Sequence, residues 1–416
     1  MWDDEVSINT YSSWQYKRYI TTLRFEKDEH GPSSTQIILG EFLRECPHLE
    51  CIVLVKEDWT IVLPNPDDSI DRKLRIKFIE MKIDSPTIRQ ICESKLVNKI
   101  VLERVEITYT EPVETTISDI PKVSLESFIC IGLNLQNQGF YDLLKQTQVK
   151  KMIFVECSID AKLLDQVFSG EQTIILEELE FQTNTLTNAR EFGMSKLRNL
   201  TSINIINMTR EHVPKKKGLQ WCQFPVESNI SSSGSSNSQN DTYCTMLNLS
   251  LHVQLTSLVI DLCPQNYSLF KKHVFRARSL KNLTLHAIHI SIDMSKILER
   301  NCSIETICVV GYEQSTVFAT KHKHVRSNCK NLKLIDFTIS NEDFFKYVAG
   351  LKYIEKLNVS RSVVDVNCEE MVQTLGSHES RARLVIRIKY ADGLTRALTK
   401  SDLDMRNHRV SFIVVN

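Results

Sequence analysis

Ser279-Leu280-Lys281-Asn282-Leu283-Thr284-Leu285 decides how the rest of the chain is read. Its apolar residues stand at Leu280, Leu283 and Leu285, the spacing L-x-x-L-x-L. The same spacing recurs at Leu255/Leu258/Ile260 on one side and at Ile304/Ile307/Val309 on the other, each about 25 residues away. One such triplet is a common accident, but a fixed distance between several is not. A period of this size means that one small unit is stacked on copies of itself, because a single unit cannot bury its own apolar face.

Working outward, the series begins at Ile20/Leu23/Phe25 and continues through Leu49/Ile52/Leu54, Ile76/Phe78 and Val97/Ile100/Leu102. Leu125/Phe128/Cys130, Val149/Met152/Phe154, Leu176/Leu179/Phe181 and Leu200/Ile203/Ile205 follow. After the three central triplets come Leu332/Ile335/Phe337, Ile354/Leu357/Val359 and Leu384/Ile386. The steps, about 22 to 29 residues, fall in the range of leucine-rich repeats. Each triplet reads as a short strand whose last two apolar residues share one face.

Helical spacing fills the intervals. Ser34 to Arg44 carries Ile37, Ile38, Leu39, Phe42 and Leu43; Ser85 to Ser94 carries Ile88 and Ile91, with Pro86 in the first turn where its missing N–H costs nothing. Asp160 to Phe168 and Asn341 to Val348 repeat the theme. The expected fold is therefore an α/β leucine-rich-repeat solenoid, a horseshoe of about fourteen to fifteen repeats, with a parallel sheet on the concave face and helices on the convex one. Residues 1–18 are expected to form an N-terminal cap, 19–390 the solenoid and 391–416 a C-terminal cap. Between Ile205 and Leu255 the period breaks. Leu219/Cys222/Phe224 could be a weak strand, and the Ser/Asn-rich stretch 228–242 is too poor in apolar residues to pack. It reads as a flexible insertion, either a tolerated surface loop or a binding loop.

Composition narrows the function classes. The 51 Lys and Arg balance the 51 Asp and Glu, which argues against a general nucleic-acid footprint. No signal peptide and no membrane-length apolar run are visible. The twelve cysteines contain no C-x-x-C pair, so reduced thiols in the cytosol or nucleus are expected rather than disulfides or a zinc site.

The cysteines also carry a resemblance. Cys157 and Cys263 fall three residues after the last apolar strand position, and Asn184 takes that place in its repeat. Cys46-Pro47-His48-Leu49 and Cys329-Lys330-Asn331-Leu332 put a cysteine just before a strand. The pattern resembles the cysteine-containing, ribonuclease-inhibitor-like class of leucine-rich repeats, typical of F-box/leucine-rich-repeat proteins. Trp14 to Phe25 followed by Leu43 to Leu49 is similar to the start of the repeats in fungal-type F-box proteins. That resemblance implies a substrate receptor of a ubiquitin ligase, with a Skp-type adaptor and a cullin as partners. The residues ahead of Ile20 contain no Leu-Pro-x-Glu-like opening of an F-box.

The common phosphate-binding, zinc-protease and hydrolase signatures are absent, and no cofactor is implied. His322-Lys323-His324 with Cys329 matches no common zinc spacing and reads as a solvated turn, as does Lys215-Lys216-Lys217. Attention therefore falls on the strand residues that point away from the core. In the early repeats these include Val53, Val55, Val101, Ile129, Ile131, Ile153 and Val155, accompanied by Lys77, Lys99 and Lys151. A solvent-facing row should be polar, so this apolar one reads as a partner-binding patch, as a row covered by another segment, or as plain strand propensity. Trp221 is a further anchor candidate, since aromatic residues dominate hot spots. The expected function is non-enzymatic protein recognition by a monomer through the concave face, with no nucleic acid or membrane. The alternative is an adaptor-independent scaffold or regulator, of the enzyme-inhibitor or GTPase-activating type.

Overall fold

The computed structural model describes residues 17–26, 35–56, 59–64, 73–109, 124–169, 175–187, 197–206, 209–210, 253–262, 267, 270–271, 274, 277–288, 290–312, 315–320, 327–339, 342–364, 373–375, 384–389 and 410–415. Trp221, the 228–242 stretch, Leu219/Cys222/Phe224, the Lys215–Lys217 run, Cys263 and His322/His324 lie outside them. The chain divides into two compact units, Met1–Leu197 with Thr209–His212, and Arg198–Met208 with Val213–Asn416.

In the first unit seven strands form one parallel sheet: β1 Thr22–Glu26, β2 Cys51–Val55, β3 Leu74–Ile79, β4 Val97–Glu103, β5 Ser124–Ile131, β6 Gln148–Val155 and β7 Glu178–Gln182. In the second, eight do the same: β8 Ser202–Ile206, β9 Ser257–Leu262, β10 Asn282–Ile288, β11 Thr306–Tyr312, β12 Asn331–Ile335, β13 Lys356–Ser360, β14 Leu384–Lys389 and β15 Val410–Val415. Within each unit, order in space is order in sequence. Every strand pairs in parallel with the next, which is the topology of an α/β leucine-rich-repeat solenoid. The strand β15 lies in the segment expected to cap the chain, and it pairs with β14 in six-residue register, Leu384↔Val410 to Lys389↔Val415.

The register stacks equivalent residues into files. Leu23, Ile52, Ile76, Ile100, Phe128, Met152 and Leu179 make one file of the first unit; Phe25, Leu54, Phe78, Leu102, Cys130, Phe154 and Phe181 make the next. All are buried, and the Phe154 and Phe181 rings stack at 5.4 Å. In the second unit Leu258, Leu283, Ile307, Leu332 and Leu357 line up in the same way, with Ile260, Leu285, Val309, Leu334 and Val359 beside them. Each such aliphatic side chain contributes roughly 1.5–3 kcal/mol by leaving water. The register corrects one expected triplet. Ile307 faces Leu332 and Val309 faces Leu334, so the repeat reads Cys329/Leu332/Leu334. The side chain of Ile335 belongs to the opposite face.

Among the described residues, eight of the strands end on a sharp turn. Lys56, Glu80, Arg104, Gly132, Glu156 and Thr183, and in the second unit Asp336 and Arg361, have φ between 46° and 65°. The turn bends the chain out of the sheet while keeping the residue's N–H in the ladder. Lys56 donates to the Ile79 carbonyl at 2.9 Å, Gly132 to Val155 at 2.8 Å and Glu156 to Gln182 at 2.9 Å. Only Gly132 takes this left-handed conformation free of a Cβ penalty.

Behind the sheet the layer is more extended than the helical spacing suggests. Short strands Asn134–Leu135, Ser158–Asp160, Thr185–Thr187 and Thr209–Arg210 form a second parallel ladder in the first unit, and Ser291–Asp293, Thr316–Phe318, Thr338–Ile339 and Val363–Val364 one in the second. Among the described residues six helices follow such segments: α1 Leu39–Glu45, α2 Ser85–Glu93, α3 Gln138–Gln146, α4 Ala161–Phe168, α5 Met294–Arg300 and α6 Glu342–Ala349. The expected helix over Ser34 to Arg44 begins only at Leu39, because Thr35–Ile38 pairs as a strand with Trp59–Val62. The last residue before a helix often caps it: Asp84 Oδ1 accepts from the Thr87 N–H at 2.8 Å and Asp160 Oδ1 from the Leu163 N–H at 3.0 Å. Capping of this kind is worth about 1 kcal/mol.

Candidate functional site

Because side chains alternate along a strand, the residues between the core files form an open face. Three files cross it in the first unit. The first runs Thr22, Cys51, Arg75, Lys99, Ser127, Lys151 and Glu178; the second Arg24, Val53, Lys77, Val101, Ile129, Ile153 and Glu180; the third Glu26, Val55, Ile79, Glu103, Ile131, Val155 and Gln182. The register thus places every described candidate of the sequence reading on one face.

The block from β2 to β6 in the second and third files holds eight aliphatic residues and two charged ones. Those two, Lys77 and Glu103, pair with each other at 2.6 Å. Val53, Val55 and Val101 are buried, wedged between neighbours in their files. Ile129, Ile131, Ile153, Val155 and Ile79, which the sequence reading did not single out, are half-buried and form the accessible part of the band. The spacing does not mark Ile79, because the Ile76/Phe78 triplet lacks a clear first member.

The first file is charged. Lys151 pairs with Glu178 at 2.5 Å. Arg75 and Lys99 stand on adjacent strands in direct register, and among the described residues neither has an ion-pair partner. Burial foremost, then the neighbouring Arg75 charge, holds the Lys99 ammonium below its ordinary value, against an opposing pull from Glu126. Beside Lys99 in the file, Ser127 is 3% exposed, and its buried hydroxyl has no hydrogen-bond partner among the described residues.

In the second unit the file matching the aliphatic one reads Asn204, Val259, Thr284, Cys308, Lys333 and Asn358. Beside it His286 Nδ1 lies 3.1 Å from the Tyr312 hydroxyl, and the rings stack. Among its described residues this face is mostly polar and carries no aliphatic band like that of the first unit.

The buried thiols are chemically quiet. The eight described cysteines are free. Burial pushes Cys92 and Cys329 up to about 12 and Cys157 to about 11, so thiolate is scarce at neutral pH. Cys157 and Asn184 serve the turn instead. Asn184 Nδ2 donates to the Phe154 carbonyl and its Oδ1 accepts from the Cys157 N–H, both at 2.7 Å. The Cys157 thiol donates to the Cys130 carbonyl at 3.4 Å. Ser315 plays the same part in the second unit, donating to the Ala287 carbonyl at 3.0 Å. Among the described residues no group of three His, Cys, Asp or Glu side chains could hold a metal ion, and no helix is long and apolar enough to cross a membrane.

Neither a protein-family profile nor a curated protein matches the sequence. Among solved structures, an internalin (InlF) of Listeria monocytogenes is 12% identical, with 90% of this chain and 87% of that one covered at a TM-score of 0.37. The mouse RP105/MD-1 complex is 9% identical over 90% of this chain and 67% of that one, with a TM-score of 0.29. At such similarity the assignment of the fold rests on the strand register itself.

Proposed function

We propose that the chain is a non-enzymatic protein-recognition solenoid whose partner docks on the open face of the first unit, across β2 to β6. The observation that supports this is the aliphatic band with its internally neutralised Lys77–Glu103 pair. Solvent-facing strand positions are ordinarily polar. A contiguous apolar band rimmed by charge has the anatomy of an interface, an apolar centre that sheds water inside a polar rim that sets orientation. The role implied by the F-box/leucine-rich-repeat resemblance, substrate receptor of a Skp/cullin-type ubiquitin ligase, is the specific form of this reading taken to experiment. The competing form is an adaptor-independent scaffold.

The test uses the tagged full chain, purified from its own cells with mass spectrometry of what stays bound, beside the variant Ile129→Thr/Ile131→Thr/Ile153→Thr. Threonine keeps strand propensity and leaves the buried Val101 alone, so the fold should persist. The expected outcome is loss of the stoichiometric partner from the variant with an unchanged circular dichroism spectrum and melting temperature. Retention of the partner by the folded variant would sink the proposal. An adaptor and a cullin among the lost proteins favour the ligase form; a single other partner favours the scaffold.

A further inference from the structure

The first file differs from the rest of the face. Elsewhere on it, cations are neutralised within the chain: Arg24 pairs with Glu26 at 3.1 Å, Lys77 with Glu103 at 2.6 Å and Lys151 with Glu178 at 2.5 Å. Among the described residues Arg75 and Lys99 are the exception, although acidic and basic residues are equal in number over the whole chain. Adjacent strands lie about 4.8 Å apart, and like charges directly opposite each other destabilise a sheet. Glu126 offsets this only in part: its charge acts on Lys99 without an ion pair, and its carboxylate accepts from Asn98 Nδ2 at 2.8 Å. Next in the file comes Ser127, a buried hydroxyl without a hydrogen-bond partner among the described residues, which is a state that ordinarily costs free energy. Two unpaired cations and one unsatisfied donor in a continuous row make a preformed place for an anion.

We propose that Arg75, Lys99 and Ser127 form a carboxylate subsite beside the aliphatic band, and that the occupant of this face is an acidic segment of a protein partner. Its aspartate or glutamate side chains sit over the first file and its aliphatic side chains over the second and third. The inference rests on the reading of this face as a docking surface and adds the chemistry of what docks. The argument for the occupant is charge complementarity. A carboxylate bonded to Arg75 and Lys99 removes their mutual repulsion, and the Ser127 O–H can donate to it. Phosphate-bearing nucleic acid would meet the same cations, but it offers nothing to the adjoining Ile129, Ile131 and Ile153.

The experiment titrates the full chain at low salt with a fluorescein-labelled peptide of alternating glutamate and leucine. A glutamine–leucine peptide of equal length and a single-stranded DNA oligonucleotide serve as competitors. The acidic peptide should bind about tenfold or more tightly than its neutral counterpart, the scale of charge-assisted hydrogen bonds. That preference should vanish in Arg75→Gln/Lys99→Gln and shrink in Ser127→Ala. Lys77→Gln, which breaks a pair already made within the chain, should leave most of it. Equal affinity for the two peptides, or an undiminished preference in the folded double variant, overturns the subsite. Displacement of the acidic peptide by the oligonucleotide at lower concentration overturns the occupant. Failure here is separable from failure of the docking face. Partner capture lost with the threonine variant but kept with Arg75→Gln/Lys99→Gln removes the subsite and spares the face, whereas capture kept by both removes the two together.

Discussion

Asn184 shows how much of the solenoid is decided by single side chains. It is fully buried, and its amide joins two repeats through the Phe154 carbonyl and the Cys157 N–H. Asn184→Ala leaves both backbone groups buried without that partner, at about 1–3 kcal/mol each. Urea unfolding should show a midpoint lowered accordingly with an unchanged slope. Asn184→Cys should lose less, because a thiol can still donate to a carbonyl as Cys157 does. The equivalence of Cys157 and Asn184 was legible in the sequence, since both fall at one offset from their strands. Ser315, donating to the Ala287 carbonyl, and Ser362, accepting from the Phe337 N–H, likewise join neighbouring repeats and were not legible, because serine is common in turns of every kind. The left-handed turn residues were hidden for a sharper reason. Glycine advertises a positive φ, and of these residues only Gly132 is a glycine; Lys56, Glu80, Arg104, Glu156 and Asp336 are held there by ladder hydrogen bonds, and Thr183 and Arg361 share the conformation.

At the scale of elements, the strands were more readable than what joins them. Two inward residues per strand survive as a pattern even when Met, Cys or Phe replaces Leu. The one misread triplet, Leu332/Ile335/Phe337, arose because Leu334 and Cys329 supply the true spacing and Phe337 is buried in the following turn. Helix spacing overreached at Ile37 and Ile38, where an apolar run satisfies both periods and pairing with Trp59–Val62 decides for strand. The junction before α5 gives a test of its own. Asp293 is nearly fully buried and accepts from Ser295 Oγ at 2.5 Å, Thr320 Oγ1 at 2.8 Å and Lys296 Nζ at 3.1 Å. Burial alone would raise its carboxyl, but these donors outweigh burial and hold it below the ordinary 3.8. Between the folded and unfolded values the unfolded chain binds more protons, so stability rises with pH there and is full above the unfolded value. It is lost as pH falls through the depressed value. Asp293→Asn should lower stability at neutral pH by roughly 1–3 kcal/mol, the cost of weakening charged hydrogen bonds. Its stability should also fall less steeply with acid than that of the parent below about pH 4, which thermal melts across that range can measure.

For the molecule as a whole, the fold and the face come from the same period but answer to different residues. The core files need only apolar residues of the right size, so composition and spacing disclosed them. The charged file needed register: nothing in the sequence says that Arg75, Lys99 and Ser127 stand side by side, since about 50 residues separate the first from the last. Stability and recognition should therefore separate under mutation. Leu283 is a core residue of the second unit, between Leu258 and Ile307 in its file. Leu283→Ala removes buried methylenes and leaves a cavity, a loss of about 2–5 kcal/mol. In a repeat array each unit depends chiefly on its neighbours, and the proposed docking block spans β2 to β6 of the other compact unit. The expected outcome is a lowered melting temperature together with an unchanged Kd for the glutamate–leucine peptide, measured well below the melt. Arg75→Gln/Lys99→Gln should do the reverse, weakening the peptide and leaving the melt in place. A Leu283→Ala chain that is folded yet fails to bind would mean that recognition requires the second unit's core as well, and the docking block would then have to be redrawn beyond β6.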